Sequence, residues 1–349
     1  PLGDARGDGV RQLVTSDGEE LLAHELGHPE RLGVVRRLVP GEERRTLGKH
    51  VEQMGPQLGH PLPGQGRDRE VVAPVLDAFG RACGEPLTRV TELVAPELYT
   101  FRDAVRYSGV IGNPRGWKKR LYPLVYRLAG FAQVKIKVGI EGQDDVKRLR
   151  LMRGWLGRNI DVRIDANEAW APAEVAARVA ELEPFGITSV EQPVRHEDVS
   201  CLAAARQQFK APVMLDESLC GMVDAERAVQ HGWCDLFNLR LSKCGGFIPS
   251  LRLAQFAKRH CLGYQLGCQV GETAILSAAG RHFATSVADV RYLEGSYDRH
   301  LVWEALAVGD LTFGRGGRAP ALVGSGLGFE LDPPLPLNGA PFRRFRLGH

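Results

Sequence analysis

The sequence has 349 residues, more than most single compact domains contain and enough for a barrel of about 250 residues with a smaller second domain. Its hydrophobic fraction of 44% and charged fraction of 25% are ordinary for a globular protein, which argues against disorder and against a fibrous architecture. The net charge of +3 comes from 45 basic and 42 acidic residues mixed along the chain, so neither nucleic-acid nor membrane-surface binding is indicated.

The cysteines and the apolar pattern indicate where the protein works. The seven cysteines are scattered and include no CxxC pair, a pattern typical of reduced thiols in a cytoplasmic protein. No apolar stretch approaches the roughly 20 residues that cross a bilayer. The first part of the chain also lacks the hydrophobic segment of a signal peptide. We therefore expect a cytoplasmic protein without a membrane span.

The first hundred residues differ from the rest of the chain. Glycine, proline and charged residues are frequent there, and one strong helical pattern covers residues 69–83. We interpret residues 1–102 as an α+β capping domain. Within it, His24, Glu25 and His28 match the HExxH pattern of zinc proteases. Pro29 follows at once and no third ligand is evident downstream, so we interpret this motif as a turn or a strand end.

From about residue 103 to residue 295, short apolar strands alternate with amphipathic helical stretches such as 173–182 and 250–259. This alternation is typical of a parallel sheet. Eight strands with seven helices between them predict a TIM-type (β/α)8 barrel over residues 103–301, with functional residues at the carboxyl ends of the strands. The predicted strands are 105–109, 133–138, 162–167, 189–192, 213–216, 236–240, 264–267 and 290–294.

Residues 302–349 are rich in glycine and proline and show no strong period. We expect an irregular segment that packs back on the capping domain. Its glycine-rich run at 324–328 has no strand before it and no helix after it, so we predict a turn rather than a phosphate-binding loop.

Two lysines stand close together in one predicted strand. Lys135 and Lys137 are two residues apart in the apolar run VKIKVG, so their side chains point to the same face, the barrel interior. A solvated strand end is the common explanation of an isolated Lys-x-Lys pair. Burial and a neighbouring cation, however, lower the pKa of a lysine, which lets the amine act as a base near neutral pH.

Three acids close the next three strands: Asp165 in VRIDAN, Glu191 in SVEQP and Asp216 in VMLDES. They are about 25 residues apart, the length of one βα unit, so their carboxylates are expected at one end of the barrel. Oxygen ligands of this kind suit Mg²⁺ better than Zn²⁺. Lys243, just beyond the sixth strand, is expected across the barrel mouth from Lys137. Singly, each residue has an ordinary explanation as a capping, salt-bridging or surface group.

The strand-end series KIKVG, DANEAW, VEQP, LDES and NLRLSKCGG resembles the enolase superfamily, in particular its muconate lactonizing subgroup, over about residues 105–295. The resemblance implies that Asp165, Glu191 and Asp216 bind one Mg²⁺, with Mn²⁺ as an alternative. It also implies that Lys137 and Lys243 are the acid and base on opposite faces of the substrate. The mandelate racemase subgroup is set aside, because it would need a histidine and an aspartate in the sixth and seventh strands.

Supporting roles follow from the same resemblance. Lys135 is expected to adjust the pKa of Lys137 and to help hold the substrate carboxylate. Asn167 and Glu217 are expected to support the metal ligands. Glu272 matches an acid that the subgroup often carries after the seventh strand.

The end of the eighth strand departs from the dipeptide epimerases of the subgroup. Their Asp-x-Asp is replaced by Leu293-Glu294-Gly295, so Glu294 either meets a substrate ammonium group or pairs with Arg299. A second departure lies at the start: the chain enters near the second strand of the family's cap, around residues 10–14. The first strand and the closing loop are therefore expected to be missing.

The expected activity is Mg²⁺-dependent removal of the proton α to a substrate carboxylate, through an enediolate, by a cycloisomerase, racemase or epimerase. A β-eliminating lyase of the o-succinylbenzoate synthase or acid dehydratase type is an alternative that uses one lysine as base and the other as a cation. A barrel that binds metal or ligand without turnover is an alternative of another class. The expected partner is a small carboxylate substrate, and the resemblance favours a homo-oligomer.

Overall fold

The computed structural model describes residues 72–297 and 307–330. Within these ranges, eight parallel strands form one sheet in chain order, and a helix lies between each strand and the next. The strands are β2 Gly109–Ile111, β3 Gln133–Lys137, β4 Asp161–Asp165, β5 Ile187–Glu191, β6 Val213–Leu215, β7 Leu236–Arg240, β8 Gly263–Gly267 and β9 Val290–Leu293. The helices are α3 Lys118–Ala129, α4 Asp145–Leu156, α5 Val175–Leu182, α6 Leu202–Ala205, α7 Met222–His231, α8 Phe247–Arg259 and α9 Ala274–Ser286.

Further elements flank this sheet. Two helices precede it, and a two-stranded antiparallel ribbon joins the chain before the sheet to the chain after it. These elements are α1 Val72–Cys83, α2 Thr88–Val94, β1 Ala104–Arg106 and β10 Arg318–Pro320. Short 3-10 helices span Pro96–Leu98, Pro172–Glu174, Glu183–Phe185, His196–Cys201, Arg206–Gln208 and Arg315–Gly317.

The sheet curls into a barrel because its first and last strands meet. The amide of Ser108, next to β2, donates to the carbonyl of Leu293 at the end of β9, with N···O 2.8 Å. Along β3, Val134 and Ile136 are fully buried in the apolar core, whereas the alternate residues carry the polar interior of the barrel. The predicted TIM-type (β/α)8 architecture is confirmed.

Seven of the eight predicted strands lie within two residues of the observed ones, but the first prediction, 105–109, is wrong. Its first half is ribbon strand β1, which pairs with β10, and the barrel begins only at β2. Tyr107 lies between the two strands, and its amide donates to the carbonyl of Gly317 (2.7 Å). Continuous apolar character across this stretch hides the change of partner, because periodicity does not report which strand a residue pairs with.

Residues 307–330 pack against the helices that precede the barrel. The amide of Leu327 donates to Oδ1 of Asp77 on α1 (2.7 Å), and the amide of Leu87 donates to the carbonyl of Gly326 (2.9 Å). The glycine-rich run at 324–328 forms the predicted turn. Gly326 has φ +63°, and a Cβ there would collide with Asp77, so only glycine fits.

Two predictions fall largely outside the described residues: the HExxH motif at His24 to His28, and the capping domain at 1–102. The domain boundaries therefore stay predictions. Among the helices that the structure describes, none has the length and apolar character needed to cross a membrane.

Candidate active site

The carboxyl ends of the barrel strands carry the predicted site. In the parallel register, Lys137 of β3 is paired with Asp165 of β4, and Asp165 with Glu191 of β5, so all three stand at one level. Asp216 follows β6, and Lys243 follows β7, four strands round the ring from β3. The two lysines therefore stand on opposite sides of the barrel ring.

One cavity of about 500 Å³ opens at this end. Apolar side chains such as Val110, Val270 and Tyr297 form part of its wall. Charged and polar residues named from the sequence share the lining, and these are Lys135, Lys137, Asp165, Asn167, Glu217, Glu272 and Glu294. The cavity therefore combines a charged floor with a partly apolar wall, as a site for a small carboxylate requires.

Lys135 is a buried cation surrounded by carboxylates. Its Nζ lies 3.0 Å from Asp165 Oδ2, 3.3 Å from Glu191 Oε1 and 2.9 Å from Glu294 Oε2. Burial alone would lower the pKa of Lys135, but the three carboxylates outweigh it and raise that pKa. Lys135 thus stays protonated and neutralises the acids around it.

Glu294 is held between two cations. Its Oε2 contacts Lys135, and its Oε1 pairs with the fully buried guanidinium of Arg163. Burial raises the pKa of Glu294, but the two cations more than compensate and hold it below its usual range. The alternative partner, Arg299, lies outside the described residues, and the predicted role of Glu294 in substrate binding stays a prediction.

Arg163 was not singled out from the sequence. It also donates from Nη1 to Ser108 Oγ (3.1 Å), and its guanidinium lies 4.6 Å from the ring centroid of Tyr292. A usable signal existed: Arg163 precedes Asp165 by two residues in one strand, so both side chains point into the barrel.

Lys243 and Lys137 differ in their surroundings. Lys243 Nζ donates to Asp216 Oδ1 (2.7 Å) and to the carbonyl of Asn238 (3.3 Å). Burial lowers the pKa of Lys243, which favours the neutral amine that a base needs. Lys137 is half-buried in the cavity wall, and its Nζ makes no hydrogen bond or ion pair within the described part of the chain.

The three proposed metal ligands are connected through cations. Arg240 Nη2 pairs with Asp216 Oδ2 and lies 3.9 Å from Glu191 Oε1. Lys135 links Glu191 to Asp165 in the same way. In the conformation described for residues 72–297 and 307–330, no three acids or other ligating side chains already form a metal-binding group. The ligand assignment therefore stays a prediction.

The chemistry of these residues nevertheless fits Mg²⁺ or Mn²⁺. All three proposed ligands offer carboxylate oxygens, the donors that hard divalent cations prefer. Asp165 Oδ2 is buried and accepts no hydrogen bond from the described residues, and its ion-pair partner is Lys135 Nζ at 3.0 Å, so a metal ion bound there would compete with that ammonium group. A divalent cation would replace the positive charge that Lys135 and Arg240 now supply to these acids.

Asn167 and Glu217 lie beside the proposed ligands. The amide of Asn167 donates to Asp165 Oδ1 (3.1 Å), and its side chain donates to Glu217 Oε1 (3.4 Å). Burial, with nearby carboxylates, raises the pKa of Glu217. Glu272 stands apart at the mouth, where its Oε1 accepts from Ser242 Oγ (3.0 Å) and from the amide of Gln269 (2.8 Å).

The fold and the site together define a (β/α)8 barrel with carboxylates and two opposed lysines at the carboxyl ends of its strands. Residues 124–335 match the family described as enolase C-terminal domain-like. The chain belongs to this family, and its predicted place in the enolase superfamily, near the muconate lactonizing enzymes, is confirmed.

Individual relatives agree with this placement. The chain is 34% identical over 206 residues to a D-Ala-D/L-Ala epimerase of Cytophaga hutchinsonii, covering 58% of this chain and 55% of that one. It is 33% identical over 211 residues to an N-succinyl-L-Arg/Lys racemase of Bacillus cereus, covering 60% and 55%. The chain thus spans about half the length of these curated relatives.

Solved structures show the same fold. A dipeptide epimerase from Cytophaga hutchinsonii, complexed with Mg and the dipeptide D-Ala-L-Val, superposes with a TM-score of 0.69 at 26% identity, over 76% of this chain and 70% of that one. A muconate cycloisomerase from Pseudomonas fluorescens superposes with a TM-score of 0.67 over 76% and 72%. Its identity is 23%, so this second likeness concerns the fold alone.

Proposed function

We propose that this chain is an Mg²⁺-dependent isomerase of the racemase or epimerase type, which moves the proton α to the carboxylate of a small substrate. The observation that carries the proposal is the placement of Lys137 and Lys243. They stand four strands apart round the barrel, with Asp165, Glu191 and Asp216 on the strands between them. Lys137 lines the cavity, and Lys243 Nζ is held beside it on Asp216 Oδ1. The relatives that are epimerases and racemases support an isomerase over other outcomes.

In the proposed mechanism, one lysine amine takes the α-proton from one face of the substrate, and the other ammonium returns a proton to the opposite face. A positioned general base contributes about 10²- to 10⁴-fold, less than the 10⁶-fold or more that enzymes commonly reach. The cavity must therefore also stabilise the enediolate. Lys135 supplies a permanent positive charge at its floor.

Asp165, Glu191 and Asp216 would hold the divalent cation, and Asn167 would fix Asp165 through its amide. A bound Mg²⁺ supplies a Lewis acid that stabilises negative charge on the substrate carboxylate. A substrate seated against the partly apolar wall would displace water, which strengthens the charge interactions around it. The same proposal includes a cytoplasmic location and assembly into a homo-oligomer. The location is supported by the cysteines, because all seven are free of disulfide bonds, as expected in a reducing compartment.

The test is proton exchange. The protein is incubated with Mg²⁺ in D₂O and a panel of acyl amino acids, dipeptides and lactone-forming diacids, and loss of the α-proton signal is followed by NMR. We expect exchange with at least one compound, and a reduction of at least about 10²-fold in the Lys137→Ala and Lys243→Ala proteins. Lys210→Ala, an exposed lysine remote from the carboxyl ends of the strands, is the matched control.

Other outcomes identify the alternatives. Equal exchange by the parent and by both lysine variants contradicts the acid and base assignment. A product that has lost its β-substituent indicates the eliminating lyase. Saturable binding of Mg²⁺ and a panel compound, with neither exchange nor product, indicates a barrel that binds without turnover.

A further inference from the structure

A second charged cavity lies on the outer side of the barrel, under the ribbon formed by β1 and β10. It has a volume of about 270 Å³ and an apolar floor that includes Ala284 and Leu293. Three arginines line it: Arg102, Arg106 and Arg318. No acidic side chain of the described residues lines this cavity.

Two of these arginines face each other directly. Arg106 and Arg318 are cross-strand partners in the antiparallel ribbon. The amide of Tyr107 donates to the carbonyl of Gly317, one residue along, and the amide of Ala321 donates to the carbonyl of Asp103, three residues along the other way. In the alternating antiparallel pattern, these odd offsets make 106 and 318 a non-hydrogen-bonded pair. Side chains in such a pair are the closer ones, and like charges directly opposite each other are destabilising.

No described residue neutralises either guanidinium of this pair. Both side chains are exposed, and neither makes a hydrogen bond or an ion pair in the described part of the chain. Unpaired surface arginines are common singly. Two arginines held opposite each other across a ribbon, both lining one cavity, destabilise the fold by charge repulsion unless an anion binds between them.

The third arginine is fixed in advance. Arg102 Nη1 donates to the carbonyls of Val287 (2.7 Å) and Ala284 (3.3 Å), at the carboxyl end of α9. These contacts use one of its nitrogens, so the rest of the guanidinium remains available. A guanidinium that is already anchored loses little conformational entropy when it binds a ligand.

We infer that Arg102, Arg106 and Arg318 form a binding site for a phosphate group, free or as a monoester, in the cavity between the ribbon and α9. Arginine presents several donors in a fixed planar fork that matches phosphate oxygens, and such charge-assisted hydrogen bonds are among the strongest. The cavity is large enough for a phosphate with a small attached group. This site is separate from the lysine-lined cavity and does not depend on the proposed activity.

The first test is titration of inorganic phosphate into the full 349-residue chain at low ionic strength without Mg²⁺, followed by calorimetry. We expect saturable binding that weakens at least about tenfold in Arg106→Ala and in Arg318→Ala. Arg227→Ala removes an exposed arginine on α7 that pairs with none of the described residues, and it should leave the affinity unchanged. Lys137→Ala should also leave it unchanged, because that lysine lines the other cavity.

Absence of saturable binding overturns the inference. So does a loss of affinity that is as large in Arg227→Ala as in the ribbon variants, since that would reflect general charge. Binding that disappears in Lys137→Ala but survives in Arg106→Ala would place the phosphate in the lysine-lined cavity and would also overturn the inference.

A second test uses stability and does not require a measured affinity. Without phosphate, Arg318→Gln should raise the melting temperature, because it removes the repulsion across the ribbon. Phosphate should raise the melting temperature of the parent protein more than that of the variant. Equal phosphate shifts in both proteins, with a variant that melts lower than the parent, contradict the proposed site.

Discussion

At the scale of single residues, the side chain of Gln192 makes four hydrogen bonds beside the proposed metal site. Its Oε1 accepts from the amides of Asp216 (2.9 Å) and Ser218 (3.2 Å). Its Nε2 donates to the carbonyl of Val194 (2.9 Å) and to Ser218 Oγ (2.7 Å). Gln192 is fully buried and has φ +35°, a strained backbone conformation for a residue other than glycine. Gln192 therefore holds the backbone of Asp216 in a fixed position relative to Glu191, the residue that precedes Gln192.

We expect Gln192→Leu to weaken Mn²⁺ binding by about 10- to 100-fold, the usual cost of losing a group that orients metal ligands. Electron paramagnetic resonance of Mn²⁺, which reports free ion, measures this without substrate. Gln133→Leu is the control: Gln133 is also partly buried and hydrogen-bonded, to Arg291 O (3.2 Å), but it lies at the opposite end of β3. Equal affinity in the parent and in Gln192→Leu means that Gln192 does not position the ligands.

The sequence could predict residues whose position follows from local pattern. Asp165 and Glu191 end apolar strands, and the period of two places Lys135 and Lys137 on one face. The sequence could not predict that Glu294 forms ion pairs with both Lys135 and Arg163. These contacts join the last strand of the barrel to its second and third strands, which are far away in the chain. Such pairs are set by closure of the sheet, which no local pattern reports.

At the scale of elements, the ribbon of β1 and β10 depends on a backbone approach that only glycine permits. Gly317 has φ +73°, and a Cβ at this position would collide with the carbonyl of Tyr107. Tyr107 is buried, and its hydroxyl accepts from Arg281 Nε (3.0 Å), so its backbone has little room to move. The ribbon thus ties the entry to the barrel to the segment at 307–330.

We expect Gly317→Ala to lower the free energy of unfolding by about 3 kcal/mol or more. The positive φ strains the backbone of an alanine, and the added Cβ displaces the carbonyl of Tyr107 from its hydrogen-bonding position. Gly84→Ala is the matched control, because Gly84 has φ +69° and no atom within 4 Å of an added Cβ. It should cost about 1 kcal/mol, for the backbone conformation alone. Urea denaturation measures both, and equal losses would show that the contact with Tyr107 is unimportant.

The ribbon is also the element that sequence patterns misassigned. Strand lengths of three residues in β1 and β2 are too short to show a period, and no glycine or proline separates them. The helices are different: α8 spans 13 residues, long enough for its apolar face to be recognised over the predicted range 250–259. Prediction was therefore best where an element is long and worst where the chain changes sheets.

At the scale of the whole molecule, α9 lies between the barrel and the helices that precede it, and it carries a buried histidine. His282 is fully buried, and neither ring nitrogen has a hydrogen-bond partner among the described residues. Burial lowers the pKa of His282 to about 4; the nearby backbone of Leu327 and, more weakly, Asp77 on α1 oppose this shift, while Arg281 on the same helix adds to it. The folded protein therefore keeps this ring neutral in mildly acidic solution.

The direction of the resulting pH dependence follows from proton uptake. Between about pH 6.5 and pH 4 the unfolded chain protonates this histidine and the folded protein does not, so stability falls as the pH falls. At 1.36 kcal/mol per pKa unit, the loss attributable to His282 reaches about 3 kcal/mol near pH 4. Above about pH 6.5 His282 is neutral in both the folded and the unfolded state, so it no longer makes the stability depend on pH.

We expect His282→Leu to lose less stability than the parent protein when the pH is lowered from 7 to 4.5, by about 2 to 3 kcal/mol in urea denaturation. The comparison is a difference between two proteins, so acid titration of the buried carboxylates, which both contain, cancels. His231→Gln, at the exposed end of α7, should follow the parent profile. If His282→Leu loses as much stability as the parent protein on acidification, the buried ring of His282 is not a source of the pH dependence.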